Sequence, residues 1–221
     1  MSYSYCYKFS LFLVLCFAIV SSAAADIIHP DVMGETVWFT SISEGSPTGD
    51  PLPLYGEPTV SGNELDFPTT GSFAATSEGG SGPDQTDGKL TFMVEAKPGH
   101  FLAGIGLEEI GITSLAAPFG GDAFDNVEAF AVIEVNKVAG LPVAGPTITE
   151  FFDFDPDNTF QHSVDAGGDP IFTTDWIGWA GHRFRRPVTK VTVTLNNVLF
   201  AATTSDDGTA ALIDKKEFSV R

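Results

Sequence analysis

Two stretches, "KLTFMVEA" (Lys89 to Ala96) and "TKVTVTLN" (Thr189 to Asn196), alternate apolar and polar residues with a period of two. In the first, Leu90, Phe92, Val94 and Ala96 oppose Lys89, Thr91 and Glu95. In the second, Val191, Val193 and Leu195 oppose Lys190, Thr192 and Thr194. An extended chain sends successive side chains to opposite faces, so each pattern predicts a strand with one buried face. The 3.6-residue period of an amphipathic helix is almost absent.

Shorter runs of the same kind recur along the chain, separated by Gly, Pro, Asn, Asp and Ser. "TVWFTSI" (Thr36 to Ile42) predicts one strand, and "LYGEPTVSGNELDFPTT" predicts two, joined at Ser61-Gly62-Asn63. "EAFAVIEVNKV" (Glu128 to Val138) is apolar on both faces, as a strand covered on both sides would be. "TAALIDKKEFSVR" (Thr209 to Arg221) predicts a last strand or pair of strands. Pro47, Pro51 and Pro53 in "SEGSPTGDPLP" predict a surface excursion instead. About ten strands, with turns about every 8–12 residues, predict an all-β fold: an antiparallel β-sandwich, jelly-roll-like, filled by 19 Phe and 3 Trp. No linker or internal repeat interrupts it, which predicts one domain over residues 26–221.

The first residues read differently. Lys8 precedes an apolar run from Phe9 to Val20, and Ala23 and Ala25 occupy the two small positions of an Ala-x-Ala cleavage site. The run is shorter than the roughly 20 residues a membrane-spanning helix needs. The expectation is a signal helix over residues 1–25, cleaved on export, leaving a secreted or cell-surface protein with no integral membrane anchor. Cys6 and Cys16 both lie in that segment. The mature domain therefore has no disulfide, thiolate metal site or cysteine nucleophile, and its own core must hold it together.

The full chain carries a net charge of −18, and removal of Lys8 makes it −19. Such a surface repels a phosphate backbone or an anionic membrane, which argues against nucleic-acid binding. Self-repulsion and solubility explain the acidity, and attraction for divalent cations is its functional counterpart.

Two segments stand out as candidate sites. "FFDFDPDNTF" (Phe151 to Phe160) spaces Asp153, Asp155 and Asp157 at every second position. It fails as an EF-hand, since Asn158 replaces the required Gly and Val164 the bidentate Glu. As a strand and turn it is coherent: Phe152 and Phe154 face inward, Asp153 and Asp155 face water, and Asp155-Pro156-Asp157-Asn158 turns the chain. A loose Ca²⁺ site on Asp155, Asp157 and Asn158 is the metal-binding alternative. "GWAGHRFRRP" gathers Arg183, Arg185 and Arg186, three of the four arginines, beside His182 and Trp179. These arginines suit a carboxylate or sulfate on an extracellular polysaccharide, with Trp176 or Trp179 stacked on a sugar ring; other surface proteins are the alternative partners. The competing expectation is that they pair with carboxylates across strands while the tryptophans fill the core.

Catalytic motifs are lacking. Glu108 and Glu109 are adjacent, so on a strand they point to opposite faces. The four histidines are scattered singly, without zinc spacing. Neither a G-x-S-x-G elbow nor a phosphate-binding glycine loop is present. The expectation is a non-catalytic protein. A hydrolase with carboxylates gathered across strands is the rival, since sequence cannot show which carboxylates meet in space.

The C-terminal third resembles a known group. "VTVTLNNVLFAATT" (Val191 to Thr204) followed by "ALIDKKEFSV" is similar to the last strands of exported bacterial proteins of the PEP-CTERM type. "LDFPTTGSFAAT" (Leu65 to Thr76) ahead of "DGKLTFMVEAKPGHFLAGIGLEEIG" (Asp87 to Gly111) resembles the same group, so the likeness spans about two-thirds of the mature domain. It implies an extracellular β-sandwich at a surface or in a matrix, with no catalytic residues to carry over. The aromatic core, acidic shell and lack of catalytic motifs lead to the expectation that such a protein works by adhesion or assembly. These proteins continue into Pro-Glu-Pro, an apolar helix and a basic tail. The sequence ends at Arg221, so anchoring through that signal is not expected.

Overall fold

The computed structural model describes residues 25–69, 71, 73–119, 121–163, 171–204 and 208–221. All but Ala25 of the expected signal falls outside the described residues. Every regular element described is a strand: β1 (Ile27–Ile28), β2 (Val32–Met33), β3 (Val37–Gly45), β4 (Thr59–Ser61), β5 (Glu64–Pro68), β6 (Ala74–Glu78), β7 (Asp84–Ala96) and β8 (Leu102–Ala116). The series continues with β9 (Asp122–Val138), β10 (Leu141–Pro142), β11 (Thr147–Phe151), β12 (Asp153–Asp155), β13 (Thr159–Ser163), β14 (Ile171–Thr203) and β15 (Ala210–Val220). All pairings are antiparallel, as the all-β expectation requires.

One curled sheet makes both layers, because β14 belongs to both. Its C-terminal part, Lys190 to Ala201, lies between β7 and β9. Its N-terminal part, Ile171 to Arg183, pairs with β8, which pairs in turn with β15. Registry breaks between Arg183 and Val188. Extra residues at such a bulge bend a strand, and this is how strands pass from one layer of a sandwich to the other. Pro187 adds to the break, because it has no N–H to give the ladder.

The period-two stretches form the core rows. Phe92, Val193 and Ile133 sit side by side on β7, β14 and β9, and Leu90, Leu195 and Ala131 form the next row. All six are fully buried. Burial of each of the five larger side chains contributes about 1.5–3 kcal/mol. The hairpin at Ser61-Gly62-Asn63 forms as expected, with Gly62 at φ +62°, a conformation that glycine adopts without strain.

Three expectations are corrected. β9 is central in its layer, but only one of its faces is covered. Phe130 is 37% exposed and meets Phe151, itself 73% exposed, on the outer face with ring centroids 6.1 Å apart. The proline-rich segment is not a pure surface excursion. Glu44 and Ser46 are buried within it, and Leu54 and Tyr55 just beyond it are core residues. Glu44 makes this possible: Oε2 accepts the Leu54 and Tyr55 N–H groups at 2.9 and 2.8 Å, and Oε1 meets His29 Nε2 at 3.1 Å. Finally, the carboxylates do not all face water. Glu44, Asp87, Glu109 and Asp125 are buried, each held by donors from other segments.

Candidate functional site

The β14 bend carries "GHRFRRP" and opens it toward solvent. Arg183, Arg185 and Arg186 are exposed, while Phe184 between them packs against the core. Lys137, Lys190, Lys215, Lys216 and Arg221 pair with carboxylates, and Lys97 donates to the Gly34 and Glu35 carbonyls. Lys137 and Lys190 share Glu95 at 2.7 and 3.1 Å, and these hydrogen bonds, that of Lys137 foremost, pull the Glu95 carboxyl below its usual range. Arg221 meets Glu108 at 2.7 Å and Glu64 at 3.3 Å. No carboxylate among the described residues pairs with Arg183, Arg185 or Arg186, contrary to the expectation of cross-strand pairing.

Arg183, Arg185 and Arg186 line a cleft of ≈770 Å³ together with the apolar Val135, Val138, Ile148 and Val188. That size lies within the range of about 300–1,000 Å³ typical of ligand clefts. His182 closes one side, its Nδ1 2.9 Å from Glu150 Oε1 and its ring 5.3 Å from that of Phe184. A second cleft of ≈620 Å³ shares His182 and Arg183 and adds Arg221. Apolar side chains beside cations that have no carboxylate partner among the described residues suit a ligand with an anionic group on a less polar body.

The two tryptophans separate. Trp176 is 1% exposed, its ring over Gly111 and edge-on to Phe154 at 6.0 Å. Trp179 is 44% exposed. It follows the same alternation as Gly181 and Arg183, so at about 3.3 Å per residue it stands roughly 13 Å from Arg183 along β14. Only the second ring can meet a ligand.

The aspartate run behaves as a strand and a turn. Phe152 is buried, Phe154 packs against the core, and β12 places Asp153 opposite Trp179 and Asp155 opposite Ile177. At the turn, Asp157 Oδ1 accepts the Asn158 N–H at 2.9 Å. The Asn158 carbonyl accepts from Val127 N and Asn126 Nδ2, both at 3.0 Å. Asp155 and Asp157 stay exposed. Among the described residues no group of three His, Cys, Asp or Glu side chains converges on one point.

A second polar cluster lies inside the sandwich, and no motif in the sequence points to it. Glu109 on β8 accepts from Lys215 Nζ of β15 and Asn197 Nδ2 of β14, both through Oε2. The Lys215 ammonium also lies 5.0–5.2 Å from the ring centroids of Tyr55, Phe73 and Phe218. Burial pushes the Glu109 carboxyl up, against the opposing pull of Lys215, and pushes the Lys215 amine down. Asp125, fully buried on β9, accepts from the Thr113 hydroxyl, and burial raises it to about 7. One signal for Glu109 is present in the chain: it shares the phase of Ile105, Leu107 and Leu115, all of which face inward.

No protein-family model matches the chain, and no curated protein matches its sequence. Among the described residues no helix is long and apolar enough to cross a membrane.

Proposed function

We propose that the protein is an exported, non-catalytic β-sandwich that serves as a cell-surface or matrix component, adhering to anionic extracellular polysaccharide at the β14 bend. One observation carries this reading: three exposed arginines without carboxylate partners among the described residues line an apolar cleft, in a chain of net charge −18. A protein so acidic pairs its cations readily, and guanidinium groups left free offer the planar fork that fits carboxylate and sulfate. The signal-like N-terminal segment and the likeness to exported PEP-CTERM-type proteins support export.

Retention of the protein in gels containing a uronate or sulfated polysaccharide tests the reading. The Arg183→Gln, Arg185→Gln, Arg186→Gln triple variant is expected to lose at least tenfold in affinity, and a neutral glucan is expected to retain neither protein. Equal binding by the triple variant would overturn the reading. A calcium-stabilised carbohydrate-binding module is the second reading, favoured by the exposure of Trp179. It predicts neutral-glucan binding that Trp179→Ala abolishes, since stacking on a ring needs no charge.

A further inference from the structure

Glu109, Lys215 and Asn197 come from three different strands, and none is more than 1% exposed. Asn197 lies in the layer of β7 and β9, while Lys215 and Glu109 lie in the layer of β8 and β15. A bare ion pair in such a place is costly, because taking two charges out of water is repaid only when every remaining lone pair is satisfied. Here that condition fails: Glu109 Oε1 and Asn197 Oδ1 are buried acceptors without partners. Tyr55, Phe73 and Phe218 wall the cluster off from water. The surroundings are tight, since a Cβ on Gly88, the residue opposite Asn197, would collide with the Phe73 ring.

An amine and a carboxamide that donate to the same carboxylate oxygen stand no more than about 6 Å apart, at ordinary hydrogen-bond lengths. We propose that Lys215 and Asn197 become joined by an intramolecular amide bond, formed by the protein itself with Glu109 as proton carrier and ammonia as leaving group.

The Lys215 ammonium first passes a proton to the Glu109 carboxylate, and burial favours that transfer on both partners. The amine lone pair then attacks Asn197 Cγ, a C–N bond forms, and the carbonyl electrons move to Oδ1. Glu109 next moves a proton from the attacking nitrogen to Nδ2. The carbonyl re-forms, the Cγ–Nδ2 bond breaks, and ammonia leaves. Overall an ammonium, a carboxylate and a carboxamide become a secondary amide, a carboxylic acid and ammonia. Charge balances, and no oxidant or reductant is needed. The reaction removes the buried ion pair and gives the two partnerless oxygens a proton to share. Fixed intramolecular partners of this kind reach effective concentrations of about 10⁵–10⁸ M, enough to make a poor reaction proceed. The product ties the two layers of a domain that has no cysteine after residue 16.

Mass spectrometry of a tryptic digest of the purified full-length chain tests this. Trypsin cuts after Lys190 and cannot cut after an acylated Lys215. The expected product is therefore a single peptide, Val191 to Lys216, lighter by one ammonia and silent to fragmentation between Asn197 and Lys215. A succinimide at Asn197 would lose the same mass, so Lys215→Met and Glu109→Gln are measured beside it. Both are expected to restore the full mass of the segment, whether or not they fold. Efficient cleavage after Lys215 in the native sequence would overturn the proposal. So would an ammonia loss that persists in Lys215→Met, or a water loss joining Lys215 to Glu109.

Discussion

Asp125 shows what a single buried carboxyl does to the molecule. Its raised folded value, about 7, comes chiefly from burial, with the Thr113 hydroxyl pulling the other way. An unfolded aspartate titrates near 3.9. Below about pH 4 both states hold the proton, and the group contributes its full stability. As pH rises toward 7 the unfolded state loses its proton first, so stability falls, and above 7 the loss is complete. The total is at most about 4 kcal/mol, since each tenfold change in proton affinity is worth about 1.4 kcal/mol. Asp125→Asn keeps the acceptor for Thr113 without the charge. Urea midpoints at pH 4.5 and 8 should show the variant gaining on the native protein much more at the higher pH. An equal difference at both values would contradict this. Gly111 is the steric counterpart: a Cβ there would lie 2.1 Å from Trp176 Cζ2 and 2.5 Å from the Asp214 carbonyl oxygen. Gly111→Ala should therefore cost about 3 kcal/mol or more, read from the same urea midpoints.

At the scale of the strand, legibility follows the phase of the side chains. β7 and the C-terminal part of β14 can be read residue by residue, because each keeps one apolar face over several turns of the pleat. β9 misleads because apolar residues on both faces mimic a covered strand, whereas its outer face carries Phe130 in the open. The two cases separate by experiment. Phe92→Ala should cost about 3–5 kcal/mol, the range for a buried ring, while Phe130→Ser, which loses a half-covered ring and its contact with Phe151, should cost no more than about 2 kcal/mol. The bend in β14 is not legible, since a bulge depends on which strands flank it and no local residue pattern announces a change of layer. The arginine cluster nevertheless stands out by composition alone, because cations are rare in this chain. Glu109 and Lys215 escape notice for the opposite reason: a charged residue in an apolar phase reads as noise until its partner, 106 residues away, is seen beside it.

At the scale of the whole molecule the charges divide into three populations that respond differently to solvent. The acidic surface repels itself, and added salt relieves this as the screening length shrinks from about 10 Å at 0.1 M to about 3 Å at 1 M. The enclosed Glu109–Lys215 pair, charged only until the amide forms, lies beyond the reach of that screening. Arg183, Arg185 and Arg186, without carboxylate partners among the described residues, form the third population, and salt weakens whatever they hold. The thermal midpoint should therefore rise with NaCl while retention by an anionic polysaccharide falls. A joint rise of both would remove charge from the account of binding. Calcium adds a separate test, because a specific site stabilises by mass action at millimolar concentration while screening depends only on ionic strength. With the Asn158 carbonyl already engaged by β9 and Asp157 bonded to its neighbour, CaCl₂ in place of NaCl at equal ionic strength should leave the midpoint unchanged. A rise that Asp155→Asn and Asp157→Asn abolish would place a cation at this turn, converting the aspartate run from a water-facing strand end into a structural site.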